Sequence, residues 1–220
     1  MTIKHVLNKE QKDFIKKHKI AEDILFDASG EGLSEELLRN MSETKKSIAF
    51  NVAGCEAEPS HGFLTIGGEC ADCHPLNIPF AVRENKTGYL YIAGSKRGEL
   101  MLVGSVNEIK DRVTINAGAF RYGGFDDWEL LYHAKTDTLG RAERLVQAKL
   151  NDYRAAYQYE KPGKIQNGGE LYRCAYQKAK DTVTALQQDG EFSFSQENEK
   201  KHLLMEYHFK NLVVKSVAAK

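Results

Sequence analysis

Four side chains form the strongest local signal in this chain of 220 residues. Cys55, His61, Cys70 and Cys73 follow the spacing C-x5-H-x8-C-x2-C. Three thiolates and one imidazole complete a tetrahedral shell around Zn²⁺, and a Cys-x2-Cys knuckle donates two ligands from one tight turn. With all four positions filled by protein, the expected role is structural, because catalytic zinc keeps an open position. His74 competes with His61, but it adjoins Cys73 and would have to bend back on its neighbour. Gly54, Gly62, Gly67 and Gly68 interleave with the ligands, and so short a stretch has too little apolar bulk to fold alone. Three of the four cysteines within nineteen residues argue against ordinary buried thiols. The charged N-terminus shows no apolar core of a secretion signal, which argues against a disulfide framework.

A second group of residues depends on the elements that carry it. Gly88-Tyr89-Leu90-Tyr91-Ile92 and Leu102-Val103-Gly104-Ser105-Val106 read as two short apolar strands around a Gly94–Gly98 turn, a hairpin. A helix is expected next, with Asn107 at its cap, Ile109 and Val113 on one face, and Arg112 within it. Trp128–Ala134 reads as a third strand, with Trp128, Leu130 and Tyr132 on one face. Residues 140–157 form the clearest helix: Val146, Leu150, Tyr153 and Tyr157 make a buried stripe, with Glu143 and Gln147 on its border.

This hairpin, with its spacing to Arg112 and Glu143, resembles the GIY-YIG nuclease superfamily, especially its phage-type subgroup, over roughly 90 residues. The resemblance puts Tyr91 at the tyrosine of the first tripeptide and Leu102-Val103-Gly104 at the second. It makes Arg112 the arginine eight residues beyond that glycine, and Glu143 the metal-binding glutamate. It implies catalytic roles for Tyr91, Arg112 and Glu143: a phenol that deprotonates the attacking water, a guanidinium fork on the phosphate, and an oxygen ligand for Mg²⁺ or Mn²⁺. Leu102 departs from the pattern, because the second tripeptide normally begins with tyrosine. Lys110, Arg121 or the metal could take over that tyrosine's task. In the subgroup a glutamate followed by an aromatic pair occurs near Glu170-Leu171-Tyr172, which makes Glu170 a further candidate.

The substrate contacts expected are Lys110, then Arg121 and Tyr122 in the turn-rich run 116–127, then Asn167 in a loop over 160–169, and Glu170. Net charge is zero, so no global field draws a polyanion. Residues 141–182 nevertheless carry +4 and residues 51–87 carry −3, and a basic strip can track phosphates. The expected partner is DNA. The rival reading is a non-catalytic nucleic-acid or protein-binding module on a degenerate nuclease scaffold, which Leu102 and the neutral charge favour.

These readings define an α+β chain. A helical N-terminal segment (1–50) precedes a zinc-binding module (51–80) and a GIY-YIG-like domain (81–186) with about three core strands flanked by helices. An appendage (187–220) ends the chain. Helices are expected over 8–27 and 34–44, and Ile78, Phe80 and Val82 alternate as an edge strand would. The tail reads as a two-strand appendage, with a homodimer contact or a disordered tip as the alternatives. No apolar run approaches the roughly 18 residues of a membrane span, so a cytoplasmic protein is expected.

Overall fold

The computed structural model describes residues 7–109, 122–155, 158–161, 164–167, 170–190 and 192–213, with backbone only for 158–161 and 164–167. The chain is α+β and divides into two compact units, residues 1–85 and 86–220.

In the first unit, α1 (Lys9–His18) begins with a capping box between Asn8 and Gln11 and ends at Lys19 in a left-handed conformation. A helix over 8–27 is therefore too long. A single 3₁₀ turn (Glu22–Ile24) and β1 (Leu25–Asp27) follow. α2 (Glu35–Glu43) starts where expected, with Ser34 Oγ accepting from the Leu37 amide, and it buries Leu37 and Met41. β1 runs parallel to β2 (Ile48–Phe50), which pairs antiparallel with β3 (Leu64–Thr65). The N-terminal segment is thus not purely helical; its strands share a sheet with the cysteine-bearing stretch. Residues 78–83 form α3 (Ile78–Arg83) rather than an edge strand. Pro79 lies in the first turn, where its missing N–H costs nothing, and Ile78 and Ala81 are buried on one face.

The second unit is built on a five-stranded sheet in the order β10-β6-β4-β5-β9. The hairpin of β4 (Gly88–Ser95) and β5 (Leu100–Val106) lies at its centre beside β6 (Trp128–Thr136). The sheet therefore has five strands where about three were expected. The structure adds β9 (Leu171–Tyr172) and β10 (Ser195–Glu199) as edges. Between them in sequence, β7 (Gln158–Lys161) and β8 (Lys164–Asn167) make a separate antiparallel ladder, so the stretch 160–169 is mostly one arm of a hairpin.

β6 carries a bulge: Ile92 pairs with Tyr132, but the next residue, Ala93, pairs with Leu130. The extra residue, Leu131, breaks the alternation. Trp128 packs with Ala93, Leu100 and Leu102, whereas Tyr132 turns to the opposite face with Ile92. The expected single face of Trp128, Leu130 and Tyr132 is corrected accordingly. α4 (Leu139–Lys149) and α5 (Tyr176–Gln188) cover the Ile92 face, with Ala142, Val146, Ala179 and Val183 buried. α4 stops well short of residue 157; Leu150 caps it and a 3₁₀ turn (Asn151–Tyr153) follows.

The tail is neither a two-strand appendage nor a loose tip over residues 192–213. One strand, β10, joins β6, and Phe192, Phe194 and Tyr207 are buried in the same core. Tyr132 donates to Glu197 (2.7 Å) and Tyr176 to Glu199 (2.5 Å), which anchors the strand. Burial first, and these carboxylates second, raise both phenols above the ordinary tyrosine value. A raised folded value means that the unfolded chain loses the proton first, so stability is intact below ~10 and declines as pH rises beyond it. Alkaline unfolding of this unit, followed by far-UV circular dichroism, is expected to begin near pH ~10.

Candidate functional sites

In the first unit a loop of turns brings the four predicted ligands together. The Val52 amide donates to the Gly62 carbonyl (3.1 Å), and the His61 amide to Glu58 (3.0 Å). The Ala71 amide reaches Phe63 (2.9 Å), and His74 N–H closes the knuckle onto Cys70 (2.9 Å). The ligand atoms of Cys55, His61, Cys70 and Cys73 all lie within 4.8 Å of one another.

A tetrahedron with Zn–S near 2.3 Å and Zn–N near 2.0–2.1 Å requires donors roughly 3.5–3.8 Å apart. Cys55 Sγ lies 3.7 Å from Cys73 Sγ and 3.7 Å from His61 Nδ1. Cys70 Sγ and Cys73 Sγ lie 3.7 and 3.4 Å from the same nitrogen. The donor set therefore fits zinc in chemistry and in spacing, with Nδ1 of His61 as the fourth donor. His74, the competitor, is exposed and outside the cluster. Without a cation the thiols divide unequally. Backbone hydrogen bonding at Glu58 and the bond to His61 bring Cys55 down to about 6, while hydrogen bonds with Cys70 and Cys55 push Cys73 up to about 12. A divalent cation takes all three as thiolates.

In the second unit the candidate residues gather around β5 at Gly104 and Ser105. Tyr91 pairs with Gly104 across β4 and β5, and its phenol lies over the glycine. A Cβ at position 104 would come within 2.7 Å of the Tyr91 hydroxyl and 2.9 Å of its ring. The glycine is needed for this close approach. Ser105, one residue on, points to the opposite face and donates to Glu143 Oε2 (2.7 Å). Glu143 projects from α4 and is 2% exposed, so it is buried rather than at the rim of the helix stripe. Gln147, one turn later, donates to the Val103 carbonyl (3.3 Å), which fixes the helix against the strand.

Glu170 stands just before β9 and accepts from the Tyr122 hydroxyl (3.1 Å), so two predicted substrate residues meet. Burial, then the charges of Glu170 and Glu143, raise the Tyr91 phenol above its ordinary value. One phenol and two carboxylates from three elements therefore share one electrostatic neighbourhood. Lys110, Arg112 and Arg121 lie outside the described residues, as does most of the helix expected after Asn107. Asn167 ends β8, and its side chain is likewise outside the description. Leu102, at the second tripeptide, is 2% exposed and packs with Leu100, Trp128 and Leu171. Sequence reasoning missed Ser105. Ser105 follows the quoted glycine, but only the register with β4 and the approach of α4 reveal its partner.

Residues 88–187 match the T5orf172 domain. No curated protein and no solved structure matches the chain significantly. Among the described residues no helix is long and apolar enough to cross a membrane.

Proposed function

We propose that the second unit is a metal-dependent endonuclease that hydrolyses DNA phosphodiester bonds, and that the Cys55–His61–Cys70–Cys73 centre is its structural zinc site. The observation that carries this reading is the seating of Tyr91 over Gly104 within the fields of Glu143 and Glu170. Further support comes from the match of 88–187 to T5orf172, a phage-associated domain related to nuclease-like folds. The GIY-YIG resemblance in the tripeptides assigns the same residues.

A Mg²⁺ or Mn²⁺ ion bound by Glu143, with Glu170 nearby, would relieve charge on the phosphate and acidify water. The protein's own groups set the rest. Two carboxylates suit a hard cation with oxygen ligands. Burial first, and the two carboxylates second, keep the proton on Tyr91 at neutral pH. A cation on the two acids would offset their share of that rise, which would couple proton removal by Tyr91 to cation binding. Arg112, by resemblance, grips the phosphate.

Supercoiled plasmid incubated with the protein is expected to be nicked with Mn²⁺ or Mg²⁺ and to stay intact in their absence. Tyr91→Phe should slow nicking by about 10²-fold, the usual scale for a lost proton-transfer group. One observation favours the non-catalytic alternative: Leu102 is sealed in apolar packing and supplies no phenol. DNA binding that never proceeds to nicks, with either cation, would support that alternative and overturn the nuclease reading.

A further inference from the structure

β10 lies outside the matched span, and the hydrogen bonds along it sort its side chains between the two faces of the sheet. Glu197 and Glu199 accept from Tyr132 and Tyr176 on the face that α4 and α5 cover. Gln196 accepts from the Tyr89 hydroxyl, on the face that carries Tyr91. Successive strand residues point to opposite faces, so Asn198 shares the side of Gln196. The register agrees: Asn198 pairs with His133, and His133 pairs with Tyr91. Tyr91, His133 and Asn198 therefore form a row across three strands, and the His133 ring stands edge-on to Tyr89 with centroids 5.7 Å apart.

His133, Asn198 and Lys200 line a cavity of about 480 Å³, together with Glu129, Leu130 and Leu131. Sites that hold a small molecule measure about 300–1,000 Å³. Lys200 pairs with Glu129 at 3.4 Å, and the two side chains are 40% and 46% exposed. An ion pair so open to water is worth little, and a phosphate can take the place of the carboxylate. Lys135, opposite Tyr89, adds a second lysine to the same face.

We propose that this row is the track of the substrate strand, with a nucleotide beside the scissile bond seated in the cavity and its phosphate held by Lys200 and Asn198. The proposal rests on the nuclease reading, which puts the bond to be broken at Tyr91. The Tyr91 phenol leans over Gly104 on β5, so the DNA strand crosses β4 on its way to the cavity. Strands about 4.8 Å apart put Asn198 roughly 10 Å from Tyr91, about three steps of a stacked strand at ~3.4 Å each. A strand beyond the matched domain thus supplies substrate contacts as well as closing the core.

The test is binding of a fluorescent DNA duplex by the full zinc-loaded chain over a series of salt concentrations, without added Mg²⁺ or Mn²⁺ so that cleavage does not intervene. Lys200→Ala is expected to weaken binding and to reduce the slope of log affinity against log salt by about one, the mark of one lost phosphate contact. Asn198→Ala should weaken binding about tenfold at fixed salt and keep the slope. Lys180→Ala removes the same charge from the opposite face, where Lys180 meets Glu197 at 3.3 Å and the Tyr132 ring, and should keep the slope as well. A change in net charge alone would move both lysine variants alike. A Lys200→Ala protein with the wild-type slope, or a Lys180→Ala protein that shows the loss instead, overturns the proposal. If wild type binds DNA but never nicks it with Mn²⁺ or Mg²⁺, the nuclease reading fails, while the slopes still decide whether DNA runs along β10. If wild type binds no DNA, both fail.

Discussion

Zinc removal is expected to unfold the first unit and leave the second folded. Structural zinc binds with about 10–16 kcal/mol in small domains, as much as the roughly 5–15 kcal/mol that separates a whole domain from its unfolded state. The first unit has apolar clusters around Ile48, Phe50 and Phe63 and around Leu37 and Met41, but its strands are only two or three residues long. The loop between β2 and β3 carries Cys55 and His61, and Cys70 and Cys73 follow β3, so a metal bound there would hold both flanks of the sheet's last strand. Cys70→Ser should behave like the chelated protein. The measurement is amide-proton spectroscopy with and without chelator, alongside elemental analysis. One equivalent of zinc per chain is expected, and dispersed resonances from residues 7–85 should collapse while those of 86–213 persist. A chelated protein with an unchanged spectrum would show that the four side chains do not hold a structural metal.

Glu143→Gln carries the second large effect. The replacement is isosteric, and its amide oxygen can still accept from Ser105, so the helix contact with β5 survives. What disappears is the charge. On the proposed reading nicking should fall by 10²- to 10³-fold, the order seen when an electrostatic group is deleted at a reacting centre. The same change has a readout independent of cleavage. Glu143 is the proposed cation ligand, so removing its charge should weaken Mn²⁺ binding about tenfold or more in titration calorimetry. Glu143→Ala is less informative. It strands the Ser105 hydroxyl beside a cavity and costs about 1–3 kcal/mol of stability on that account alone. A Gln variant that cuts as fast as wild type would refute the nuclease assignment whatever the titration shows.

Much of this was legible in the residues. The Cys55–His61–Cys70–Cys73 quartet was readable because its spacing is short-range, and the exposed His74 lies outside the cluster that His61 joins. The central hairpin was readable from two apolar runs around a glycine-flanked turn. The errors share a physical origin: local pattern was asked to decide what tertiary contacts decide. Ile78, Phe80 and Val82 alternate, yet Pro79 sits where a helix tolerates it and Ala81 supplies the second buried position. Tyr132 was assigned to the wrong side because a single inserted residue, Leu131, reverses the parity of a strand without leaving a mark in composition. The burial of Glu143 was hidden for another reason. Whether a carboxylate on a helix border faces water depends on what lies opposite, and the Ser105 that Glu143 meets is 38 residues away in sequence.

The final strand bears on how this protein should be handled at the bench. β10 zips onto β6 about sixty residues after that partner has been synthesised, and it begins eight residues beyond the last position of the T5orf172 match. A fragment cut to the matched span would leave the ladder side of β6 bare and strip Phe192, Phe194 and Tyr207 from the core. Naked strand margins recruit other copies of themselves. Such a truncation would precipitate or pair artificially, and its silence in a cleavage assay would say nothing about the full chain; an expression boundary near residue 213 keeps β10 on the sheet.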